Sequence, residues 1–388
     1  MDEKNLTAFL LAHADEDPAR LLLSADRWPG IDVRHAARLI EARRKIRDKV
    51  PSWHDVPELE YPGNLPVEQC SSEETARYKQ AFVPEGARMA DLTGGLGVDC
   101  WFLSRKAAEA HYCERHAACC AAARHNFACL GDSRIAVHEG DGIEWLRRQT
   151  QRFDLLYLDP ARRDKAARRV YAISDCEPDL LAVKELLLSR ADRVLAKISP
   201  MADITRTLAQ FPELRQLHVV GAGGQVKELL LLLENGPAAG PVIVVADGPH
   251  RFSFRPEEEP AAAVRYTARI GRYLFQPSKA ILKAGAFRLL AARSGLAKLA
   301  PSTHLYTGDA PVADFPGRCF EVEAVLDWNG ATIRQLQKSY DRLEMTALNF
   351  PLDTDALRRR LGIPGGGRRH IYATTLNDKK KTLIICKI

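Results

Sequence analysis

The 388-residue chain predicts an α/β protein with a mostly parallel sheet, a helical region before it and smaller α+β pieces after it. Three observations lead there. From Arg88 to about Asn235, short apolar runs alternate with longer helical stretches, the pattern of strands joined by crossover helices that cover both sheet faces. The first 50 or so residues carry helical periodicity instead. Beyond "RPEEEP" (255–260) the alternation gives way to helices and strands in mixed order.

In chain order, "RHAARLIEARRKI" (34–46) brings Ala37, Ile40, Ala42 and Ile46 near one helical face. "VPSWHDVPELEYPGNLP" (50–66) contains four prolines and reads as a linker. "SSEETARYKQAF" (71–82) opens with serines placed to cap a helix and acids in its first turn. Strands are expected at Met89–Leu92, His111–Glu114, Ile135–His138, Phe153–Leu158, Val194–Ile198, Leu217–Val220 and Leu229–Leu233. Helices such as "HAACCAAARHNFACL" (116–130) and "EPDLLAVKELLLSRA" (177–191) lie between several of them. "GPVIVVADGPHRFSFRP" (240–256) reads as a strand leaving that sheet. "SKAILKAGAFRLLAARSGLAKL" (278–299) reads as helix and "RCFEVEAVL" (318–326) as strand. The last piece reads helix (Thr332–Leu343), strand (Thr346–Phe350), helix (Thr354–Leu361) and hairpin. The expected division is a helical region with linker (1–80), a sheet domain (81–250), an α+β domain (251–325) and a basic domain (326–388).

With 46% apolar and 27% charged residues the composition is that of a globular protein. No apolar run approaches the roughly 18 residues of a membrane helix. The N-terminus "MDEKNLTAFLLAHADED" lacks a cleavable signal pattern, and nine cysteines without framework spacing suit free thiols, so a cytoplasmic setting is expected. His111, Cys113, His116, Cys119, Cys120 and Cys129 contain no C-x-x-C pair, and no metal is expected. The net charge is only +6, yet Ala331–Ile388 alone carries twelve Lys/Arg against five Asp/Glu, a net +7. Such a segment suits an anionic partner, nucleic acid first; a merely solvated basic face is the other reading.

"MADLTGGLGVDCWFL" (89–103) is a strand, a glycine turn and a helix start, and in an open parallel sheet ligands sit beyond such strand ends. Gly94, Gly95 and Gly97 let backbone approach a ligand. A dinucleotide fold would need a third glycine where Cys100 stands, which argues against that cofactor. Asp91 ends the first strand and Glu114 the second, where a carboxylate commonly accepts from ribose hydroxyls. "HEGDGIEWL" (138–146) puts Asp141 and Gly142 after the third strand, where an adenine amine would be recognised. "LYLDPARRD" (156–164) then places Asp159 and Pro160 at the fourth strand end with Arg162 and Arg163 beyond, either a plain turn or the rim of an active site.

These stretches resemble class I S-adenosylmethionine-dependent methyltransferases. More narrowly, "EQCSSEETARYK" (68–79), "DLTGGLGVD" (91–99), "YLDPARR" (157–163), "KISPMADI" (197–204) and "VKELLL" (226–231) resemble the bacterial methyltransferases with a C-terminal THUMP-like domain. "YLFQPSKAILKAGAF" (273–287) and "THLYTGDAPVADFPGRCFEV" (303–322) are similar to that family's ferredoxin-like piece. The resemblance implies a Rossmann-like methyltransferase sheet whose final antiparallel strand is Glu228–Leu233. It also implies S-adenosylmethionine as cofactor, held by Asp91, Thr93, Gly95, Gly97, Glu114 and Asp141, with Gly94 and Gly142 beside them.

Asp159 and Pro160 match the family's fourth motif. In amine-methylating members a carboxylate or amide there accepts hydrogen bonds from an exocyclic NH2 and localises the nitrogen lone pair. Ala161 and Arg162 replace the usual proline and aromatic, so Arg162 would stack on a base or, with Arg163, hold a phosphate. Uridine C5 chemistry is disfavoured, because Ser199 follows the fifth strand where a cysteine nucleophile would stand. A ribose 2′-O mechanism would use the quartet Lys79, Asp159, Lys197 and Glu228; Lys197 equally suits a structural ion pair. The leading expectation is methylation of an exocyclic base amine in structured RNA (ribosomal or transfer), with Asp159, Pro160, Arg162 and Lys197 at the reacting centre and a monomer favoured. Ribose methylation, a small-molecule substrate and a non-catalytic RNA-binding protein are the alternatives.

Overall fold

The computed structural model describes residues 3–162, 173–236 and 240–388, in two compact units. The first unit comprises residues up to Gln216 together with Lys227–Ala239.

Its centre is a sheet built by β1 (Ala87–Asp91), β2 (Ala107–Glu114), β3 (Ile135–Glu139), β4 (Phe153–Leu158), β5 (Ala191–Ile198) and, after the chain has passed through β6 (Leu214–Ala222), β7 (Gln225–Glu234). The strand order in this unit is β3-β2-β1-β4-β5-β7. All neighbours are parallel except the last pair, where Ile198 faces Leu229 and Arg193 faces Glu234 antiparallel. The order reverses between β1 and β4, and a crevice opens there beyond the carboxyl ends. Strands this apolar must be covered on both faces. Met89, Ala90, Leu155, Leu156, Val194 and Leu195 are all fully buried.

Three helices matter to the site. α2 (Glu73–Gln80) starts where the capping pattern places it: Ser72 Oγ accepts from the Thr75 N–H at 3.3 Å. α3 (Val98–Ser104) follows the glycine turn, with Gly97 in the left-handed region at φ 90°. α4 (Gly142–Arg147) is capped by Asp141, whose Oδ1 accepts from the N–H groups of Ile143 and Glu144 at 2.7 and 3.0 Å.

The proline-rich stretch expected as a linker is packed instead. Val50 and Trp53 are completely buried and Leu59 and Tyr61 nearly so, in one core with α1 (Val33–Lys49). Large apolar side chains between the prolines explain this, since each gains roughly 1.5–3 kcal/mol by leaving water.

The second unit holds Leu217–Val226 and the chain from Gly240 onward. β8 (Val242–Asp247) and β9 (His250–Phe254) form an antiparallel pair. A seven-stranded sheet follows, from β10 (Tyr273–Pro277), β11 (Ala297–Ala300), β12 (Thr303–Gly308), β13 (Gly317–Asp327), β14 (Glu344–Leu348), β15 (Arg369–Thr375) and β16 (Lys381–Lys387), in the order β11-β12-β10-β13-β16-β15-β14. β14 and β15 are parallel, as a crossover through α6 (Thr354–Leu361) requires; α5 (Gly330–Ser339) joins β13 to β14. Among the described residues no helix is long and apolar enough to cross a membrane.

Candidate active site

A cleft of about 1580 Å³ opens at the carboxyl ends of the first unit's strands. That exceeds the roughly 300–1,000 Å³ of one small-ligand site, leaving room for a cofactor and a substrate group together. The glycine-turn residues Asp91, Thr93, Gly94, Gly95 and Gly97 line it, as do Glu114, Asp141 and Gly142. Asp159, Pro160, Lys197 and Glu228 line it too, but Lys79 does not. Arg162 pairs through its backbone with Cys176; Arg163 lies outside the described residues.

The acids are tied to the loops they follow. Asp91 Oδ1 accepts from the Thr93 N–H at 3.0 Å, and burial pushes its carboxyl well above the ordinary range; the Thr93 N–H opposes this while Asp99, Asp159 and Glu114 add to it. The Thr93 hydroxyl accepts from the Asp159 N–H at 2.6 Å and so links the ends of β1 and β4. Glu114 accepts from the N–H groups of Gly95 and His116, both at 2.8 Å. Each carboxylate oxygen has a second lone pair, so these bonds preform Glu114 without exhausting it. Asp141 pairs with Arg115, which also reaches Glu177 at 2.7 Å. Burial acts to raise Asp141, but the Glu144 N–H and Arg115 outweigh it and hold the carboxyl low.

Two of these cleft glycines are also required by packing. A Cβ on Gly94 would meet the Tyr112 ring at 2.2 Å, and one on Gly142 would meet the Leu92 carbonyl oxygen at 2.2 Å. Backbone cannot yield as a side chain can. Gly142→Ala is therefore expected to cost roughly 1–3 kcal/mol by displacing the Asp141 cap, read by thermal unfolding.

Beneath Asp159 lies a buried cluster that sequence reasoning found only in part. Lys79 is completely buried, with Nζ 2.7 Å from Glu228 Oε1 and 3.1 Å from Asp99 Oδ1. Ser71 Oγ accepts from Lys79 at 3.0 Å and from Lys197 at a longer 3.4 Å, and donates to Asp99 Oδ2 at 2.7 Å. The Tyr157 hydroxyl also donates to Asp99 Oδ2 at 2.7 Å. Lys197 Nζ reaches Asp159 Oδ2 at 2.6 Å. Burial acts against the Lys197 charge, but Asp159, Asp99 and Glu228 outweigh it and hold the ammonium above its ordinary pKa. Burial acts to raise Asp99, yet Lys79 and Lys197 hold it lower, whereas burial prevails at Glu228 and pushes it up. Ser71, Asp99 and Tyr157 escaped notice because each is an ordinary residue in its own segment. "SS" read as a cap, "VD" as a helix start and "LY" as strand. The one available signal was an acid within the first turn of α3, on the site side of the glycine loop.

No group of three or more potential metal ligands occurs among the described residues. Cys119 and Cys120 are buried, and burial raises both thiols.

Comparisons place this geometry. Residues 273–316 match a ferredoxin-like domain family and residues 317–387 a THUMP domain-like family. A crystal structure of a candidate methyltransferase from Porphyromonas gingivalis is 38% identical, with a TM-score of 0.90 over 100% of this chain and 99% of that one. An uncharacterised S-adenosylmethionine-dependent methyltransferase of Mycobacterium tuberculosis is 25% identical over 316 residues, covering 77% of this chain and 80% of the relative. A cleft at the switch in a parallel sheet with one antiparallel strand, rimmed by an acid at the end of each of β1 to β4, defines a class I methyltransferase. The chain belongs to the bacterial family of S-adenosylmethionine-dependent methyltransferases that carry a C-terminal THUMP-like domain. Its cofactor is S-adenosylmethionine, and the preformed acceptors Glu114 and Asp141 in the cleft suit the ribose hydroxyls and adenine amine of that molecule.

Proposed function

We propose that the enzyme methylates an exocyclic amine of a base in structured RNA. Glu114 accepts from the cofactor ribose, Asp141 from the adenine amine, and Asp91 with the glycine turn borders the methionine end. S-adenosylmethionine supplies an electrophilic methyl group on a sulfonium that departs as a neutral thioether. Asp159 accepts an N–H of the target amine and turns the nitrogen lone pair toward that methyl. As the N–C bond forms the C–S pair returns to sulfur, and the extra proton of the methylated amine leaves to solvent at the exposed edge of Asp159.

The observation that carries the amine over the ribose hydroxyl is the state of the lysines. A ribose hydroxyl must lose its proton to a base, but carboxylates hold Lys197 as an ammonium without a lone pair. Lys79 is buried away from the cleft. Asp159 remains 36% exposed at its side chain and can meet a substrate. The ribose reading keeps one supporting fact: all four members of its quartet do meet in two ion pairs around Ser71. Mass-spectrometric comparison of RNA nucleosides from cells with and without the protein decides. A methylated base that disappears with the protein supports the amine; a missing 2′-O-methyl nucleoside overturns it.

RNA as substrate draws on the THUMP-like match and on the basic end of the chain. Near α5 and α6, Arg359, Arg360 and Lys381 border a second groove of about 660 Å³ beside Trp328. Removing residues after Asp327 would not test this, because β16 pairs with β13 and its loss would open the second unit's core. Reversing Arg359 and Arg360 to Glu keeps the sheet. The variant is expected to bind RNA more weakly and to lose about 0.7 of log–log salt slope per lost phosphate contact. Cofactor affinity should stay unchanged.

A further inference from the structure

We infer that Ser71 is a positioning residue for Asp159, an inference that rests on the reading of Asp159 as the group that meets the substrate. Ser71 lies just before α2, far in sequence from β4 and β5, yet it is 6% exposed and contacts both ion pairs of the cluster. A serine hydroxyl has one proton and two lone pairs. Here the proton goes to Asp99 and the lone pairs face the ammonium groups of Lys79 and Lys197. The hydroxyl is thus fully used.

The consequence for Asp159 is geometric. Lys197 has three donors on a flexible stem, and its short bond to Asp159 alone would let both side chains swing together. Ser71 gives the ammonium a second fixed point, anchored through Asp99 to Tyr157, two residues before Asp159 on the same strand. The carboxylate is held from both sides: through its own strand by Tyr157 and Asp99, and through its side chain by Lys197 and Ser71. Lys79 retains Asp99 and Glu228 without Ser71, so loss of the hydroxyl should leave the buried charges paired and the protein folded.

The test uses the full chain and compares Ser71→Ala with Ser71→Thr, which restores a hydroxyl. In Ser71→Ala the S-adenosylmethionine Kd is expected within about twofold of the original, while single-turnover methyl transfer to RNA from cells lacking the protein falls roughly tenfold or more, since a misplacement on the order of 1 Å can cost about 10²-fold. Ser71→Thr should recover most of the rate. An unchanged rate in Ser71→Ala overturns the inference, and so does a rate loss matched by an equal loss of cofactor affinity, which would mark Ser71 as merely structural. A second readout is independent of the substrate: nitrogen-15 spectra of the lysine ammonium groups. The Lys197 signal, assigned by its loss in Lys197→Met, should be sharp in the parent, broadened in Ser71→Ala and sharp again in Ser71→Thr. If RNA from such cells accepts no methyl from the parent, the substrate reading fails while this signal still decides the role of Ser71. A sharp Lys197 signal in Ser71→Ala overturns it.

Discussion

Asp159→Ala is expected to lower single-turnover methyl transfer by about 10²-fold or more, with S-adenosylmethionine affinity nearly intact. The carboxylate is the exposed end of a chain of fixed groups, and its removal takes away the acceptor that would orient the amine. Asp159→Asn discriminates further. An amide oxygen also accepts, so part of the rate should survive if the target is an amine. Lys197→Met should cost less than Asp159→Ala, because Lys197 restrains the acceptor without accepting a proton. A larger loss in Lys197→Met would point to the ribose hydroxyl. Equal, full activity in Asp159→Ala would remove both mechanisms. The control is calorimetry with Glu114→Ala, which should lose cofactor affinity.

Lys79→Met should be the most destabilising single change in the first unit, by roughly 3–5 kcal/mol. It leaves Asp99 and Glu228 facing each other's charge in a site where Lys79 is completely buried. Removing one partner of a buried pair exposes the full desolvation cost of the other, which is larger than the net contribution of the pair itself. Adding Glu228→Gln to Lys79→Met should return a good part of that loss by removing one stranded charge. Denaturant unfolding followed by tryptophan fluorescence reads this unit, because Trp28, Trp53, Trp101 and Trp145 lie in it and only Trp328 lies in the other. A loss under about 1 kcal/mol for Lys79→Met would show that water or Ser71 can replace the ammonium.

Much of this architecture was legible in the amino-acid order. Strand periodicity placed β1 through β5 within a few residues, and the continuous leucines of β7 announced a strand buried on both faces. Asp91, Glu114, Asp141 and Asp159 could be assigned to strand ends because each follows an apolar run, and the parallel topology then brings all four to one cleft. Local pattern suffices where one element's own periodicity decides the matter.

Other features needed the folded chain. The stretch around Trp53 and Tyr61 looked like a connection because prolines dominate a local reading, while its burial depends on a partner helix elsewhere in the sequence. Gly94 must also make room for Tyr112 on the adjacent strand, a neighbour that no local pattern names. The quartet of Lys79, Asp159, Lys197 and Glu228 was readable as a set of residue types in a suggestive order. Its division into a buried pair and a cleft-facing pair, joined by Ser71, was not. Strand position and residue type depend on local chemistry, and the chain states them directly. Burial and the second partner of a charge depend on contacts across as many as 149 residues, as between Lys79 and Glu228, and only tertiary packing decides them.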